Sequence, residues 1–383
     1  MNTTNVLGLR DRGPSKAKLL SGALPLLAAT ILLTRQAEAQ TLQWAASYSG
    51  ISVSALEETE GVVADNSGNV FATGLSGAKG IGSGIRTIKL DSKGNILWNV
   101  IHSRPALFGG MWGRTPLSLD ANGNIILVGA EFTSAQDNWN PVLLKLSPSS
   151  GATLTRLVFD FGPFASFDAA AVAGSNLYIL GHNNPNNGNP HVVYMLKLGP
   201  DGTIIWGDSY TPGTFWGTRG GIVVAGSAVW TAAGGKLRAH DLNGALLLDK
   251  DMILPGGGSP LAADGAGNIY LAEQNGVAKF GAAGNPLGTI GGIAGQVSDL
   301  DVDAAGNIYL VGSTVASSSR GSDILTQKYN PAGGLVWSAT HGKNGQYSDD
   351  GIAITVRAGY VYVGGSKYNK NLDMCTLKYT AGN

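Results

Sequence analysis

Cysteine, histidine and charge are all scarce in this chain. Of 383 residues, one is cysteine (Cys375), five are histidine and 14% are charged. A single cysteine excludes an intrachain disulfide framework, and no spacing of Cys and His resembles a zinc site. Lys plus Arg and Asp plus Glu number 26 each, so no net charge draws the protein to nucleic acid or to an anionic membrane. We therefore expect no nucleic-acid partner and assign no cofactor.

Long apolar runs are also missing, apart from one near the amino terminus. Residues 19–33 form an apolar run of about 15 residues, which follows four basic residues and precedes Ala37-Glu38-Ala39. A membrane-spanning helix needs about 20 apolar residues, and this run contains Gly22 and Pro25. We predict a signal peptide over residues 1–39 and a single mature domain over residues 40–383. The mature protein is then exported to the periplasm, the cell surface or the medium, without an integral membrane span.

Glycine, by contrast, is abundant, with 57 residues in the chain against a norm of about 7%. Many short strands joined by tight turns need glycine, because it adopts positive φ without a steric penalty. Strands that are buried on both faces carry few charges. The excess of glycine and the deficit of charge together favour an all-β repeat protein.

A repeat runs through the whole mature chain. Asp303-Ala-Ala-Gly-Asn-Ile-Tyr-Leu-Val-Gly312 is restated as Asp65-Asn-Ser-Gly-Asn-Val-Phe-Ala-Thr-Gly74. The residue that begins the aromatic-rich strand recurs in every unit, at Asn69, Asn124, Asn176, Ala228, Asn268, Asn307 and Tyr360. A lysine recurs in all units except the fourth, at Lys89, Lys145, Lys197, Lys279, Lys328 and Lys378. Both anchors predict seven units.

Each unit is predicted to contain four short strands. An Asp-x-x-Gly-Asn turn joins the first two strands, because Asp bonds the backbone two residues on and Gly and Asn tolerate left-handed geometry. The third strand ends in the repeated lysine, and the fourth carries a tryptophan such as Trp98. The seventh unit stops at Asn383 before its fourth strand, whereas residues 41–48 read like that missing strand. We therefore predict a seven-bladed β-propeller of four-stranded blades, closed by the amino-terminal strand in the last blade.

The repeat resembles the SBBP-type bacterial β-propeller repeats, whose pattern runs Asp-x-x-Gly-Asn-x-Tyr-x-x-Gly and then Lys-Tyr-x-x-x-Gly-x-x-x-Trp. Units one, six and seven match this pattern best, and unit four matches it least. The resemblance covers the mature chain and implies a seven-bladed propeller in an exported or cell-surface protein. The family has no shared catalytic residues, so we assign none.

Candidate ligand-binding residues lie in loops of units two to four. Two inter-unit loops pair Trp with Arg, a third inter-unit loop contains Phe, and a further Trp lies in a loop that the topology places on the same face. Aromatic rings beside arginine suit stacking on sugar rings and pairing with carboxylates. The alternative is that these rings cap the core between blades. The candidate residues are Trp112, Arg114, Trp139, Phe164, Trp216 and Arg219.

Several acidic residues raise the question of a metal. Asp299 and Asp301 alternate along one predicted strand with Asp303, so their carboxylates leave the same face. A hard cation needs six or more oxygens, and Asp303 belongs to the repeated turn, so we assign no metal and keep only Asp299 and Asp301 as candidate ligands. Comparable positions are predicted to form a solvated acidic rim, at Glu57, Glu58, Glu60, Asp349 and Asp350.

Histidine gives no clear catalytic site. His102 and His341 each follow a repeated Trp by four residues, where other units have Tyr, so both are interpreted as rings that pack between blades. His182 and His191 bound an Asn-rich and Pro-rich loop, which is interpreted as a surface excursion.

Three functions stay open. We favour an exported, monomeric, non-enzymatic propeller that binds a glycan or a protein on one loop face, because the repeat accounts for nearly every polar residue. The alternative is a carbohydrate-active enzyme such as a polysaccharide lyase, in which Arg114 or Arg219 neutralises a uronate and a loop His or Tyr takes the proton. The third function is that of a purely structural cell-envelope protein. The fold does not choose among these functions.

Overall fold

The structure, a computed structural model, describes residues 38–49, 56–78, 82–102, 107–108, 117–133, 138–184, 191–212, 220–254, 259–273, 276–291, 293, 295–314, 321–342, 347–368 and 372–382. These residues belong to one compact unit, Ala37–Asn383. Their regular elements are all β-strands, and within the described ranges no helix is long and apolar enough to cross a membrane.

Seven sheets each contain an antiparallel four-stranded blade, listed here from the first strand to the fourth. Blade 1 contains Leu56–Ala64, Val70–Ala78, Gly82–Leu90 and Ile96–His102. Blade 2 contains Leu117–Leu119, Ile125–Thr133, Asn138–Leu146 and Thr153–Val158. Blade 3 contains Ala165–Ala173, Asn176–Asn183, Val192–Leu198 and Ile204–Tyr210. Blade 4 contains Gly221–Ala225, Ala228–Ala233, Lys236–Asp241 and Leu246–Asp251.

The remaining blades follow the same order. Blade 5 contains Leu261–Ala263, Ile269–Glu273, Gly276–Phe280 and Pro286–Gly291. Blade 6 contains Gln296–Val302, Ile308–Ser313, Ile324–Tyr329 and Leu335–His341. Blade 7 contains Asp350–Arg357, Tyr360–Tyr368, Leu372–Thr380 and, as its fourth strand, Leu42–Tyr48. Two short strands extend the sheets of blades 2 and 6, at Leu107–Phe108 and Glu38–Ala39.

The first strands of neighbouring blades contact one another all the way around a ring, and the first strand of blade 7 contacts that of blade 1. The predicted seven-bladed β-propeller is therefore confirmed. The fourth strand of blade 7, Leu42–Tyr48, pairs antiparallel with Leu372–Thr380. Hydrophobic clusters fill the boundaries between blades; at the boundary of blades 6 and 7, for example, Trp337 packs with Leu377 and Tyr379.

The Asp-x-x-Gly-Asn turns share one hydrogen-bond pattern. In blade 1, Asp65 Oδ1 accepts the backbone N–H groups of Ser67 and Asn69, and Oδ2 accepts the Asn69 side-chain amide. Gly68 has a φ of +78°, which favours glycine. The pattern recurs at Asp91, Asp120, Asp264 and Asp303. We call the end of the propeller that carries these turns the turn face, and the opposite end the loop face.

A ladder of three side chains joins each of several blades to the next one. In blade 1 it consists of Phe71, Lys89 and Trp98, which lie opposite one another on strands two to four. Lys89 Nζ and the Trp98 indole N–H both donate to the Pro148 carbonyl of blade 2, at 2.9 and 3.2 Å. In the same way Lys197 and Trp206 donate to Leu242, and Lys378 and Trp44 donate to Ser92. The repeated lysine and tryptophan therefore fasten neighbouring blades together.

Candidate functional site

The structure describes two of the six candidate ligand-binding residues. Trp139 lies in the third strand of blade 2 rather than in a loop, because the pairing of strands two and three extends to Thr133 and Asn138. Phe164 immediately precedes the first strand of blade 3, in the predicted inter-unit loop. The other four, Trp112, Arg114, Trp216 and Arg219, lie outside the described residues.

Trp139 and Phe164 flank the loop-face end of the boundary between blades 2 and 3. Side chains alternate along a strand, so Trp139 shares a face with Leu143, which packs in the hydrophobic cluster that joins these two blades. The backbone N–H of Phe159 donates to the Pro141 carbonyl at 2.9 Å and fastens the loop that leads to Phe164 beside the third strand of blade 2. The two candidate rings therefore belong to one region of the loop face.

A cluster of four rings occupies this boundary. Phe159 stacks on Phe161 with ring centres 6.0 Å apart, and its edge meets Phe167 at 5.1 Å. Phe161 lies 4.9 Å from the ring of Tyr194. Tyr194 donates its hydroxyl to the Ser166 carbonyl at 2.8 Å, and burial raises its pKa well above the usual value. Tyr194 is therefore a fixed, neutral ring that supports Phe161.

An open groove of about 420 Å³ lies beside these rings. Phe161, Tyr194 and Leu196 give it an apolar wall, and Asn183 and Ser209 give it polar edges. The Asn183 amide donates to the Phe161 carbonyl, which fixes the loop against blade 3. The groove thus combines a half-buried ring with a small number of polar groups, as ligand sites commonly do.

The backbone of Phe164 is strained. Its φ is +57°, a value that bulky L-residues rarely adopt because Cβ then crowds the carbonyl oxygen. Gly162, two residues earlier, has a φ of +87°. Such strain persists where the surrounding structure holds it, and it is often found at functional sites.

A buried histidine–aspartate pair lies at the loop-face end of blade 3. Asp168 is 1% exposed, and its two carboxylate oxygens lie 2.8 and 3.0 Å from His182 Nδ1. The pair forms because a bulge in the first strand, between Phe167 and Ala169, turns Asp168 toward the second strand. A carboxylate at Nδ1 fixes the orientation of an imidazole and the tautomer that it adopts. No sequence pattern links these two residues, because His182 begins the segment that we interpret as a surface loop.

A second polar network lies between blades 3 and 4. Asp208 Oδ2 lies 2.7 Å from His240 Nε2 and 2.9 Å from an Arg238 nitrogen. Although burial opposes ionisation, the His240 hydrogen bond and the Arg238 charge hold the pKa of Asp208 below its usual value. Arg238 and His240 flank Ala239, which takes the register position of the repeated lysine in the fourth unit. The departure of that unit from the repeat was the signal in the sequence that could have revealed the network.

Asp299 and Asp301, the candidate metal ligands, fasten two blades together. Each carboxylate accepts the N–H of the next residue in its own strand and one N–H from blade 7, at Ile354 or Val356, with distances of 2.7 to 2.9 Å. Burial raises the pKa of Asp301 to about 6. Within the described ranges, no group of three metal-ligating side chains comes together.

Glu57 and Asp349 are buried, so the prediction of a solvated acidic rim is wrong for both. Glu57 is 1% exposed and Asp349 is 3% exposed. Glu57 accepts a hydrogen bond from Ser76 at 2.9 Å and lies 3.5 Å from Arg86, which is buried beside it. Burial raises the pKa of Glu57, and the hydrogen bond and the arginine charge only partly oppose that rise. The positive charge beside Glu57 belongs to Arg86 in the third strand. The sequence pattern does not link these two residues.

Other reactive side chains are held in neutral forms by burial. Burial lowers the pKa of His102 to about 4. Burial and the charge of Lys367, whose Nζ lies 3.3 Å from His341 Nε2, lower the pKa of His341. Burial raises the pKa of Cys375 to about 11, so this thiol is not a reactive nucleophile at neutral pH.

Together, the fold and the groove define a seven-bladed β-propeller with a candidate ligand site on its loop face. No family model matches the chain, and no curated protein matches it. Among solved structures it is similar to virginiamycin B lyase from Staphylococcus aureus, with 11% identity and a TM-score of 0.55 over 87% of this chain and 98% of that one.

Two further solved structures have the same architecture. A catalytically inactive form of the Staphylococcus aureus lyase with quinupristin gives 10% identity and a TM-score of 0.57, over 87% of this chain and 98% of that one. A streptogramin B lyase structure gives 15% identity and a TM-score of 0.56, over 90% of this chain and 100% of that one. At such low identity the likeness establishes the shared fold alone.

Proposed function

We propose that this chain is an exported, non-enzymatic, monomeric β-propeller that binds a glycan in the loop-face groove beside Phe161. The observation that carries the proposal is the groove of about 420 Å³ with its half-buried aromatic wall. The strained Phe164 and the predicted ligand residue Trp139 lie at the same boundary between blades. The four candidate residues outside the described ranges are part of the same proposal, as contributors from adjacent loops.

The chemistry of the groove favours a saccharide. The ring of Phe161 can contact the C–H groups of a sugar, because an aromatic face carries partial negative charge, and the buried ring of Tyr194 supports it. The Asn183 and Ser209 edges offer donors and acceptors to sugar hydroxyls. Ligand pockets typically have volumes of about 300 to 1,000 Å³, and this groove falls within that range.

Export and a relationship with the SBBP-type repeat proteins belong to the same proposal. The basic residues before the apolar run at 19–33 and the Ala37-Glu38-Ala39 sequence support a cleaved signal peptide. Expression of the full chain in a bacterial host, with mass spectrometry of the exported protein, tests this part. We expect the mature chain to begin at Gln40, and a cytosolic protein that keeps residues 1–39 would contradict it.

The binding function is tested on a glycan array with the mature protein. Phe161→Ala removes the central ring. We expect it to weaken binding of the glycan with the highest affinity by about 2 kcal/mol, or roughly 30-fold. Leu247→Ala is the matched control, because Leu247 is 59% exposed on the fourth strand of blade 4, away from the groove. Wild-type affinity in a folded Phe161→Ala protein, or an array without any bound glycan, would contradict the proposal.

A lyase is the second candidate, and the Asp168–His182 pair is the observation that favours it. Asp168 binds Nδ1 and directs Nε2 away from the carboxylate, an arrangement that suits a histidine for proton transfer. The structural neighbours named above are also lyases, although they support the fold alone. Arg114 and Arg219, the predicted partners of a uronate, are the other residues of this mechanism.

The two candidate functions differ in a direct assay. The mature protein is incubated with uronate polymers and with quinupristin, and new ultraviolet absorbance or loss of the starting compound is followed. A lyase loses this activity in His182→Ala and keeps it in His341→Gln, which changes a histidine in another boundary. An absence of product with all substrates leaves binding as the proposed function.

A further inference from the structure

The turn-face end of the boundary between blades 2 and 3 lacks both ladder rings, which are present in blades 1, 3, 6 and 7. In blade 1, Phe71 and Trp98 lie on either side of the repeated lysine. In blade 2 the same register positions hold Ile126, Lys145 and Thr155. An isoleucine thus replaces one ring, and a threonine replaces the indole that packs against the next blade.

A cavity of about 180 Å³ lies where those rings are missing. Ile126, Lys145 and Thr155 line it from blade 2, and Val172, Leu177 and Pro200 line it from blade 3. Its rim consists of turns on the turn face, opposite the groove described above. A cavity of about 150 Å³ is large enough to bind benzene in another protein, so this one can accept a small ring system.

The polar groups of the cavity have also lost their usual partners. Lys145 Nζ lies 2.7 Å from Asp120 Oδ2, whereas its counterpart Lys89 contacts the carbonyl of the next blade. The carbonyl at the equivalent position is that of Pro200. In the part of the chain that the structure describes, this carbonyl receives neither of the two donors, lysine and indole, that meet Pro148.

We propose that this cavity is a binding site for a planar aromatic molecule of about indole size that carries an N–H donor. The ring takes the volume left by the missing indole, and its N–H meets the Pro200 carbonyl. Lys145 lies next to the bound ring, as Lys89 lies 5.3 Å from the centre of the Phe71 ring. This function is independent of glycan binding, because the site lies on the turn face.

Leu157 limits the size of the ligand. At the boundary of blades 1 and 2, Trp98 lies against Gly151, so that a Cβ on this glycine would be 2.8 Å from the indole. At the boundary of blades 2 and 3 the counterpart is Gly202, where a Cβ would be 2.0 Å from a Leu157 methyl group. Leu157 therefore already covers the glycine. The remaining space suits one or two fused rings and excludes larger aromatic systems.

Indole itself is the probe, titrated against the mature protein with ligand-observed NMR and thermal unfolding. We expect saturable binding with a dissociation constant on the order of 1 mM or below, as for other fragments of this size. Thr155→Trp restores the repeat residue and fills the cavity, so it is expected to raise the melting temperature by a few degrees and abolish indole binding. Thr155→Phe is the second filling variant and keeps the test valid if the tryptophan does not fit.

Leu154→Trp is the matched control, because it adds an indole at a neighbouring position that is 55% exposed and does not line the cavity. This variant is expected to keep wild-type indole binding. Benzofuran, which has the shape of indole without the N–H, is expected to bind about tenfold more weakly, since it leaves the carbonyl unpaired. The proposal is overturned if indole does not bind, or if it binds a folded filling variant as tightly as the wild type.

Discussion

At the scale of single residues, Phe164 has the most informative backbone conformation. A left-handed conformation costs an L-residue about 1–2 kcal/mol, and Gly adopts it without that penalty. The chain nevertheless places an aromatic residue at a φ of +57° on the rim of the ring cluster. Ligand contact by this side chain is part of the proposed function, and the conformation of Phe164 allows that part to be tested.

A pair of substitutions separates backbone strain from the ring. Phe164→Gly and Phe164→Ala both remove the ring, but only glycine adopts the left-handed conformation freely. We expect Phe164→Gly to be more stable than Phe164→Ala by about 1 kcal/mol in urea unfolding, and both to bind the glycan more weakly. Equal stabilities of the two variants would show that the loop is not held at this φ in solution.

Asp301 gives a prediction for the dependence of stability on pH. Burial raises its pKa from 3.8 to about 6 in the folded protein, so the folded state binds this proton more tightly than the unfolded state does. The free energy of unfolding therefore falls as pH rises through this interval. Relative to Asp301→Asn, the wild type is expected to lose stability between about pH 4 and 6, by at most about 3 kcal/mol.

Asp303 supplies a control with the opposite sign. Burial opposes its ionisation, but hydrogen bonds from Asn307 and the turn backbone lower its pKa in the folded state. Relative to Asp303→Asn, the wild type should gain stability as pH rises from acid. Denaturant unfolding of the wild type, Asp301→Asn and Asp303→Asn across this pH range measures how each free energy of unfolding depends on pH. If the wild type and Asp301→Asn differ by the same free energy at every pH, the Asp301 carboxylate is not buried as described.

At the scale of the strand, a bulge in the first strand explains the repeated glycine within the second strand. In blades 1, 3, 6 and 7 the first strand shifts register by one residue, and a glycine lies opposite the shift, at Gly74, Gly181, Gly312 and Gly365. A Cβ on Gly74 would lie 1.7 Å from the Glu58 carbonyl oxygen. The bulge therefore brings two backbones so close that only glycine fits.

This close approach predicts how much stability is lost when a methyl group is added at Gly74. Gly74→Ala forces the two strands of blade 1 apart and is expected to destabilise the protein by about 2 kcal/mol or more. Gly291→Ala is the matched control, because a Cβ on that strand glycine meets no atom within 4 Å. Thermal and urea unfolding measure both variants. A Gly74→Ala protein as stable as Gly291→Ala would mean that the bulge relaxes at little cost.

The strands and their turns could be predicted from sequence because their determinants are local. Asp-x-x-Gly-Asn specifies a turn within five residues, and alternation of apolar residues specifies each strand. The pairs Glu57 with Arg86 and Asp168 with His182 could not be predicted in this way. They join different strands, and the bulge that turns Asp168 toward His182 has no local sequence signal. The groove likewise brings Phe161, Tyr194 and Ser209 together from a loop and two strands, so it was less predictable than the fold.

At the scale of the whole molecule, the repeat made the number of blades predictable. It also drew attention away from the differences between individual blades. The repeat pattern alone does not show what the absence of a tryptophan at Thr155 does to the packing between blades. The structure shows that this substitution leaves a cavity between two blades, because Leu157 does not fill the whole space. Departures from the repeat in blade 2 and in blade 4 coincide with this cavity and with the network of Asp208, Arg238 and His240.

The last prediction concerns the contribution of the amino-terminal strand to the stability of the ring. Leu42–Tyr48 forms the fourth strand of blade 7, and Trp44 donates to the Ser92 carbonyl of blade 1 at 3.0 Å. The Tyr48 ring lies 4.5 Å from the Arg86 guanidinium, also in blade 1. Deletion of residues 40–48 therefore removes a full strand and exposes the edge of Leu372–Thr380.

We expect this deletion to lower the free energy of unfolding by several kcal/mol and to cause aggregation. It removes the strand pairing of blade 7 and the contacts between blades 7 and 1. The control is a protein that begins at Gln40 and keeps the strand. A synthetic peptide of residues 40–49 added during refolding is expected to restore the melting temperature, because the exposed edge can accept a strand in trans. A melting temperature that the deletion leaves unchanged would show that the ring does not depend on this strand, and that blade 7 is stable with three.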